Sequence, residues 1–420
     1  MKRLRIIFIS LIIIIIATAA ILGGFKSKYT ADPNNRNEKW TKDIEYLEKQ
    51  LPKKHKNLFF SLSEEKFHKE IESLKNQVPK LNDDEVKVQI YKIVASVNDA
   101  HTSAYSETEK TFPINLYWFK EGIYAINTLP EYKEILNCKL IKINGKNIDD
   151  VEKETSKIIS HENKAQLKNR IPKILTNPSM LHGLKIIDST EKATFTFQDE
   201  QNKIFDVDIK SVKANENLVK KLKSNNRDKD MPLYMQNQDK NYWFKYLKTE
   251  KIMYFKYNSC MEMKDKPFKD FSKELLNSID KNNPEKLVID LRDNGGGRSS
   301  ILDSFIKQIK KRNINNKNKL FVILGRRTFS SAILNAITLK NQTEAIFVGE
   351  PTGGKPNHYG EVRDFKLPNT KMIISYSKKY FETSKEDTPS FMPDKIIEPS
   401  IYEFKDNKDI ILESIYNYKN

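Results

Sequence analysis

Four short stretches carry residue types that do chemistry. Asp290-Leu-Arg-Asp-Asn294-Gly-Gly-Gly297 closes an apolar run in three consecutive glycines. Amides without Cβ neighbours allow close approach and, ahead of a helix, form a site for an anion or an oxyanion; a plain tight turn needing positive φ is the simpler account. The GxGxxG spacing and a terminal Gly-Lys-Ser/Thr are both absent, which argues against a nucleotide loop. Thr328-Phe-Ser330-Ser331-Ala332 follows the next apolar run and opens a helix. A nucleophilic serine is often set there with a helix dipole behind it, although Thr and Ser are also ordinary N-caps. His101, in Val97-Asn-Asp-Ala-His101-Thr102, ends a helix and is either an imidazole base or a C-terminal charge partner. Lys355, in Gly349-Glu-Pro-Thr-Gly-Gly-Lys355, can act as a base when desolvated and is otherwise a solvated cation. Glu386-Asp387, before Phe391-Met-Pro-Asp394, offers an orienting carboxylate or a surface loop. Of the six histidines, His55, His68 and His161 lie in charged surroundings and read as solvated, while nothing local singles out His182 or His358.

The elements that must position these residues follow from periodicity. Ile44, Leu47 and Leu51, then Phe67, Ile71 and Leu74, then Val86, Ile90, Ile93 and Val97 recur at helical spacing, and Asn82 with Glu85 reads as a capping box. From Phe112 the period changes to that of strands, with Leu140-Ile-Lys-Ile-Asn-Gly145 predicting a strand and an Asn-Gly turn. Ala193–Phe197 and Ile204–Ile209 close a mixed unit of about 100 residues. Leu287–Leu291, Leu320–Leu324 and Ala345–Val348 are buried-type strands separated by helical stretches from about 299 to 311 and 331 to 339, an alternation that predicts a sheet covered by helices.

Length and composition bound the rest. At 420 residues the chain exceeds one core, and 38% hydrophobic residues exclude a disordered class. The formal charge is +17, five of it on Lys and Arg within residues 1–28 and the rest spread among acids, so a solvated surface is expected and no nucleic-acid partner. Two cysteines, Cys138 and Cys260, exclude a disulfide framework and are expected as buried thiols. Residues 1–28 join Lys2, Arg3 and Arg5 to the apolar run Ile6–Leu22, the pattern of a membrane anchor or a cleavable signal. Either exports the chain: it is expected at the cell membrane with residues after about 30 outside, or secreted. The expected divisions are a tether over 29–39, a helical segment over 40–112, a mixed module over 113–212, a linker over 213–245 and an α/β domain over 246–420.

Together these motifs resemble the serine peptidases that include the C-terminal processing (tail-specific) peptidases and the tricorn core. The likeness rests on Leu287–Gly297, Thr328–Ala332 and Gly349–Gly354 in that order, with Asn98–Thr102 upstream and Pro393-Asp394 at the end. It implies a crotonase-like β/α catalytic domain, a PDZ-like α+β module over about 113–212, and hydrolysis of polypeptides through an acyl-enzyme without metal or other cofactor. The family's nucleophile falls 19 residues before the Gly of Gly349-Glu-Pro-Thr, on Ser330. In the tricorn-like branch an upstream histidine is the base, which implies His101, with Asp387 or Glu386 as the orienting acid; in the tail-specific branch Lys355 is the base. Holding a lysine neutral near pH 7 costs some 4 to 5 kcal/mol whereas an imidazole near 6.5 needs no such shift, which favours His101. The implied oxyanion donors are amides of Gly295 or Gly296 and of Ser331.

The competing readings are a non-catalytic ligand carrier, since relatives of this fold bind ligands without catalysis, and a structural receptor of the cell envelope, which only the positive charge favours.

Overall fold

The computed structural model describes residues 28–32, 34–223 and 231–418. The expected anchor over 1–28 lies, apart from Lys28, outside the described residues, as does part of the expected linker. Among the described residues no helix is long and apolar enough to cross a membrane.

Three helices come first. α1 (Arg36–Lys54) begins where Asn35 accepts from the Glu38 amide, and it buries Trp40, Ile44, Leu47 and Leu51 on one face. It starts within the stretch expected as a tether, and the chain ahead of it is pinned by Asn369, which bonds Tyr29 O and the Ala31 amide. α2 (Glu64–Gln77) buries Phe67, Ile71 and Leu74. α3 (Asp83–Ala95) opens with both halves of the Asn82–Glu85 capping box. Asn98 then takes φ 58°, a left-handed turn that asparagine tolerates, and reverses the chain into Asp99-Ala-His101. β1 (Ser103–Tyr105) follows at once.

The mixed module is one antiparallel sheet in the order β2 (Ile114–Phe119), β3 (Gly122–Thr128), β4 (Lys139–Ile143), β5 (Lys192–Gln198) and β6 (Ile204–Lys210). Asn144 and Gly145 both have positive φ, 46° and 74°, as the Asn-Gly turn requires. α4 (Ile148–Ser156) and α5 (Lys164–Ile174) cover the core formed by Leu140, Ile143, Phe195 and Phe197.

The second half is built on a six-stranded sheet. β7 (Tyr242–Leu247) runs antiparallel to β8 (Ile252–Tyr257), after which β8, β9 (Lys286–Asp290), β10 (Leu320–Leu324) and β11 (Ile346–Gly349) are parallel, with a last short strand, Lys395–Ile396, beyond β11. β10 is buried along its whole length, as expected of a parallel sheet covered on both faces. α6 (Phe268–Asn282), α7 (Asp303–Ile309) and α8 (Ser331–Gln342) cover one face, while Ile411, Leu412 and Ile415 of α9 (Ile410–Tyr416) cover the other. The long hairpin of β12 (His358–Lys366) and β13 (Ile373–Phe381) receives the apolar faces of α1, α2 and α3 through Phe365, Leu367, Met372 and Ile374. β1 adds to its edge with Ala104 opposite Ile374, so the loop carrying His101 is fastened to the second half.

Candidate active site

The carboxyl ends of β9, β10 and β11 each run into one of the singled-out turns, the place where parallel sheets bind ligands. Side chains lock the turns together. The Thr328 hydroxyl donates to Leu291 O at 2.9 Å and accepts from the Gly325 amide at 3.0 Å, and the Phe329 amide donates to Asn294 O at 3.0 Å. Asn294, wholly buried, donates from Nδ2 to Tyr257 O at 2.9 Å and accepts the Gly296 amide at 2.9 Å. Beneath them Asp290 accepts from Tyr254 Oη at 2.6 Å and meets Lys256 and Arg292. Burial would raise its pKa, but the Arg292 and Lys256 charges hold it at about 2. The Asp290 and Arg292 of the motif are therefore a structural charge knot, which Arg292 extends to Asp409.

Ser330 sits at the start of α8 with φ 53° and ψ −125°. A non-glycine residue there stores about 1–3 kcal/mol of strain, and it is held because the turn is fixed from both sides. Gly296 lies against it: a Cβ on Gly296 would stand 2.8 Å from Ser330 Cβ and 3.0 Å from the Ser331 amide nitrogen. Ser331 donates its hydroxyl to Gly297 O at 2.7 Å, tying the glycine turn to the helix start. Among the described residues no acceptor is recorded for the amides of Gly295 and Ser331, whereas the Gly296 amide is taken by Asn294. Of the three amides expected as donors, that of Gly296 is thus taken, and Gly296 lies where only a residue without Cβ leaves room for Ser330.

His101 is 7% exposed, and its ring stacks on Phe329 with centroids 4.3 Å apart and on His358 at 5.3 Å. Phe329 directly precedes Ser330, so the imidazole packs on the residue next in the chain to that serine. Both ring nitrogens of His101 are buried and, among the described residues, have no hydrogen-bond partner. Its Nδ1 lies 3.9 Å from Asp99 Oδ1. Burial pushes the imidazole down to about 4; Asp99 opposes this, and His358 and Arg170 add to it. This departs from the ordinary value near 6.5 used in the sequence argument, because the ring is desolvated rather than open.

Asp99 is a hub. Its Oδ1 accepts the His101 amide, and its Oδ2 accepts from Thr102 Oγ1 and Ser377 Oγ at 2.6 Å each and from His55 Nε2 at 3.0 Å. The Asn57 amide donates to His55 Nδ1 at 3.1 Å, which puts the His55 proton on Nε2, facing the carboxylate. His55, read as solvated among lysines, is buried here, and its signal was hidden because its partner lies 44 residues away. His358 is likewise buried, with Nδ1 donating to Pro356 O at 2.9 Å.

The remaining candidates meet one another and not the imidazole. Lys355 Nζ donates to Asp387 Oδ2 at 2.7 Å, and Glu386 is exposed with its amide on Ser384 Oγ. Glu162, ahead of α5, accepts the Lys355 amide at 3.1 Å. Burial first, then Asp99, push its carboxyl up to about 7 against that hydrogen bond. Nothing local in the sequence marks it. Cys138 and Cys260 are free and buried.

No family model and no curated protein matches the chain. Solved structures do. Mature CPAF complexed with lactacystin is similar with a TM-score of 0.64, covering 91% of this chain and 99% of that one at 13% identity. A point mutant of CPAF gives 0.63 over the same shares at 13% identity, and mature CPAF gives 0.62 over 91% and 98%, again at 13%. The chain therefore has the fold of CPAF across nearly its whole described length, a likeness of architecture at this identity.

Proposed function

We propose that the chain is a serine-type peptidase in which Ser330 is the nucleophile and His101 the general base. The observation that carries this is a serine held at strained φ and ψ on a helix start, with a buried imidazole stacked on the preceding Phe329, its two nitrogens unpartnered among the described residues. Ser330 Oγ attacks the peptide carbonyl carbon as His101 takes its proton. The oxyanion is held by the Ser331 and Gly295 amides, and His101 returns the proton to the leaving amine. Water then attacks the acyl-enzyme with the same imidazole as base. Asp99 is the positioning carboxylate in this reading, because Asp387 is engaged by Lys355. The same ion pair argues against Lys355 as base.

The antiparallel module reads as PDZ-like and the parallel sheet with its helices as crotonase-like, and the N-terminal 28 residues as a membrane anchor or signal placing the site outside the cell. Alkaline extraction of membranes from cells making the full chain tests the anchor: release into the soluble fraction counts against it. The chemistry is tested by labelling with a fluorophosphonate and by hydrolysis of unfolded protein. Both are expected in the wild type and absent in Ser330→Ala; labelling that persists in Ser330→Ala would overturn the assignment. His101→Ala should lose hydrolysis nearly as completely, whereas Lys355→Ala should keep measurable turnover.

A further inference from the structure

The buried Asp99 carboxylate beside His101 uses its two oxygens unequally. Oδ2 takes three donors, Thr102 Oγ1 and Ser377 Oγ at 2.6 Å each and His55 Nε2 at 3.0 Å. Oδ1 takes the His101 amide at 2.9 Å and lies 3.9 Å from His101 Nδ1. The torsion at a carboxylate is soft, so the donors on Oδ2 fix the plane of the group and with it the direction of the Oδ1 lone pairs. Those donors differ in kind. A hydroxyl swings its proton to whichever acceptor is at hand, whereas an imidazole N–H points one way. The His55 ring is fixed as well as directed. Its side chain is wholly buried, the Asn57 amide sits on Nδ1 at 3.1 Å, and the Tyr359 ring lies 5.3 Å away. Lys56, next in the chain, donates its amide to Ser377 O at 2.8 Å, which lays this segment along β13. Burial would raise the Asp99 carboxyl, and the His55 bond leads the contacts that instead hold it below its ordinary value.

Stability alone accounts poorly for a histidine at this place. α1 is already fastened to the hairpin by Asp43, which accepts the Asn369 and Thr370 amides at 2.8 and 2.7 Å, and by the core of Leu47, Leu51, Leu367 and Ile374. An apolar pair at positions 55 and 99 would fill the same volume without desolvating polar groups.

We propose that His55 is a positioning residue for the reaction, acting through Asp99: its Nε2 proton holds Oδ2, and with it the carboxylate plane that presents Oδ1 to the base His101. The proposal rests on the peptidase reading above. His101 becomes positive when it takes the Ser330 proton, and a negative oxygen already held on that side favours the charge with no reorganisation at the moment of reaction. His55 touches neither the substrate nor the reacting atoms, and its own proton stays on Nε2 throughout.

The test uses the full chain and an internally quenched peptide picked from a mixed library because the wild type cuts it, with kcat counted per serine labelled to completion by a fluorophosphonate. His55→Leu removes the donor, His55→Asn carries an amide too short to reach Asp99, and His55→Gln returns an N–H near the place of Nε2. In His55→Leu and His55→Asn kcat is expected to fall about ten- to a hundredfold, the range for a hydrogen bond to a charged group, with KM within about twofold of wild type. His55→Gln should recover kcat to within about threefold of wild type. Counting per labelled serine removes the effect of unfolded protein, and where His55→Leu leaves nothing to count, the two polar variants decide. A kcat within about twofold of wild type in His55→Leu or His55→Asn overturns the proposal and leaves His55 as a tie between α1 and the hairpin. So does a His55→Gln no faster than His55→Asn, or loss of labelling in all three variants. Each of these outcomes leaves the nucleophile standing as long as the wild type labels and cuts. Absence of both in the wild type sinks the peptidase reading, and this one with it.

Discussion

At the scale of single residues, Ser330 and His101 are both held in states that cost stability. Replacing Ser330 with glycine removes the strain of φ 53° along with the proposed nucleophile, whereas alanine removes only the hydroxyl. Ser330→Gly is therefore expected to be inactive but more stable than Ser330→Ala by about 1 kcal/mol, the strain relief being partly offset by glycine's larger unfolded-state entropy. Thermal melting of the two variants checks it, and a less stable glycine variant would mean the turn is not strained. His101 sets the pH dependence. In the proposed mechanism only the neutral imidazole can take the Ser330 proton, and burial keeps it neutral down to about pH 4. Activity on a small neutral peptide should hold on descending from pH 7 and fall through an apparent pKa near 4. A midpoint near 6.5 would show that the ring is solvated in the working enzyme. Ser330 and His101 were singled out in the sequence because each sits in a local motif, and the structure stacks His101 on Phe329, the residue before Ser330. The neighbouring carboxylate was not, since the acid candidates were weighed by distance along the chain, and Asp99 comes to 3.9 Å from the imidazole through the turn at the left-handed Asn98.

At the scale of elements, the two turns after β9 and β10 behave as one part, and the glycines in it have unequal duties. A Cβ on Gly296 would meet Ser330 at 2.8 Å at φ 105°, whereas a Cβ on Gly295 meets nothing within 4 Å. Gly296→Ala should thus lose turnover by about a hundredfold or more and destabilise by about 2 kcal/mol, while Gly295→Ala keeps its amide and most of its activity. Equal losses in kcat and in melting temperature would dissolve the distinction. Thr328→Val removes the hydroxyl that joins Leu291 to Gly325 and leaves both groups unmet, for an expected cost of about 1–3 kcal/mol read by denaturant unfolding. The helices and parallel strands were readable because their apolar repeats are strict. β12 gives no strand signal in the sequence for a physical reason: along it the run Glu361 to Asp364 is exposed, so there is no alternation to read.

At the scale of the whole molecule, the residues proposed for catalysis and the antiparallel module belong to different halves. Ser330 and the glycine turn belong to the parallel sheet, and the His101 loop, although it comes early in the chain, is joined to that half by β1 on β13 and by the Asp99–Ser377 bond. The antiparallel module has its own core and meets the site through α5, at Asn163, Lys168 and Glu162. Loosening that contact should shift α5 while leaving the stacking of His101 on Phe329, ahead of Ser330, unchanged. In the double variant N163A/K168A a small fluorophosphonate, which on the proposed mechanism needs only Ser330 and His101, should label at a rate within about threefold of wild type, while kcat/KM for an unfolded polypeptide falls about tenfold or more if the module helps to position the substrate. The comparison is internal, so a partly unfolded preparation lowers both readings together. Parallel loss of labelling and of hydrolysis by a folded variant would instead make the module part of the catalytic geometry, with the Glu162 contact to Lys355 as the route by which it acts.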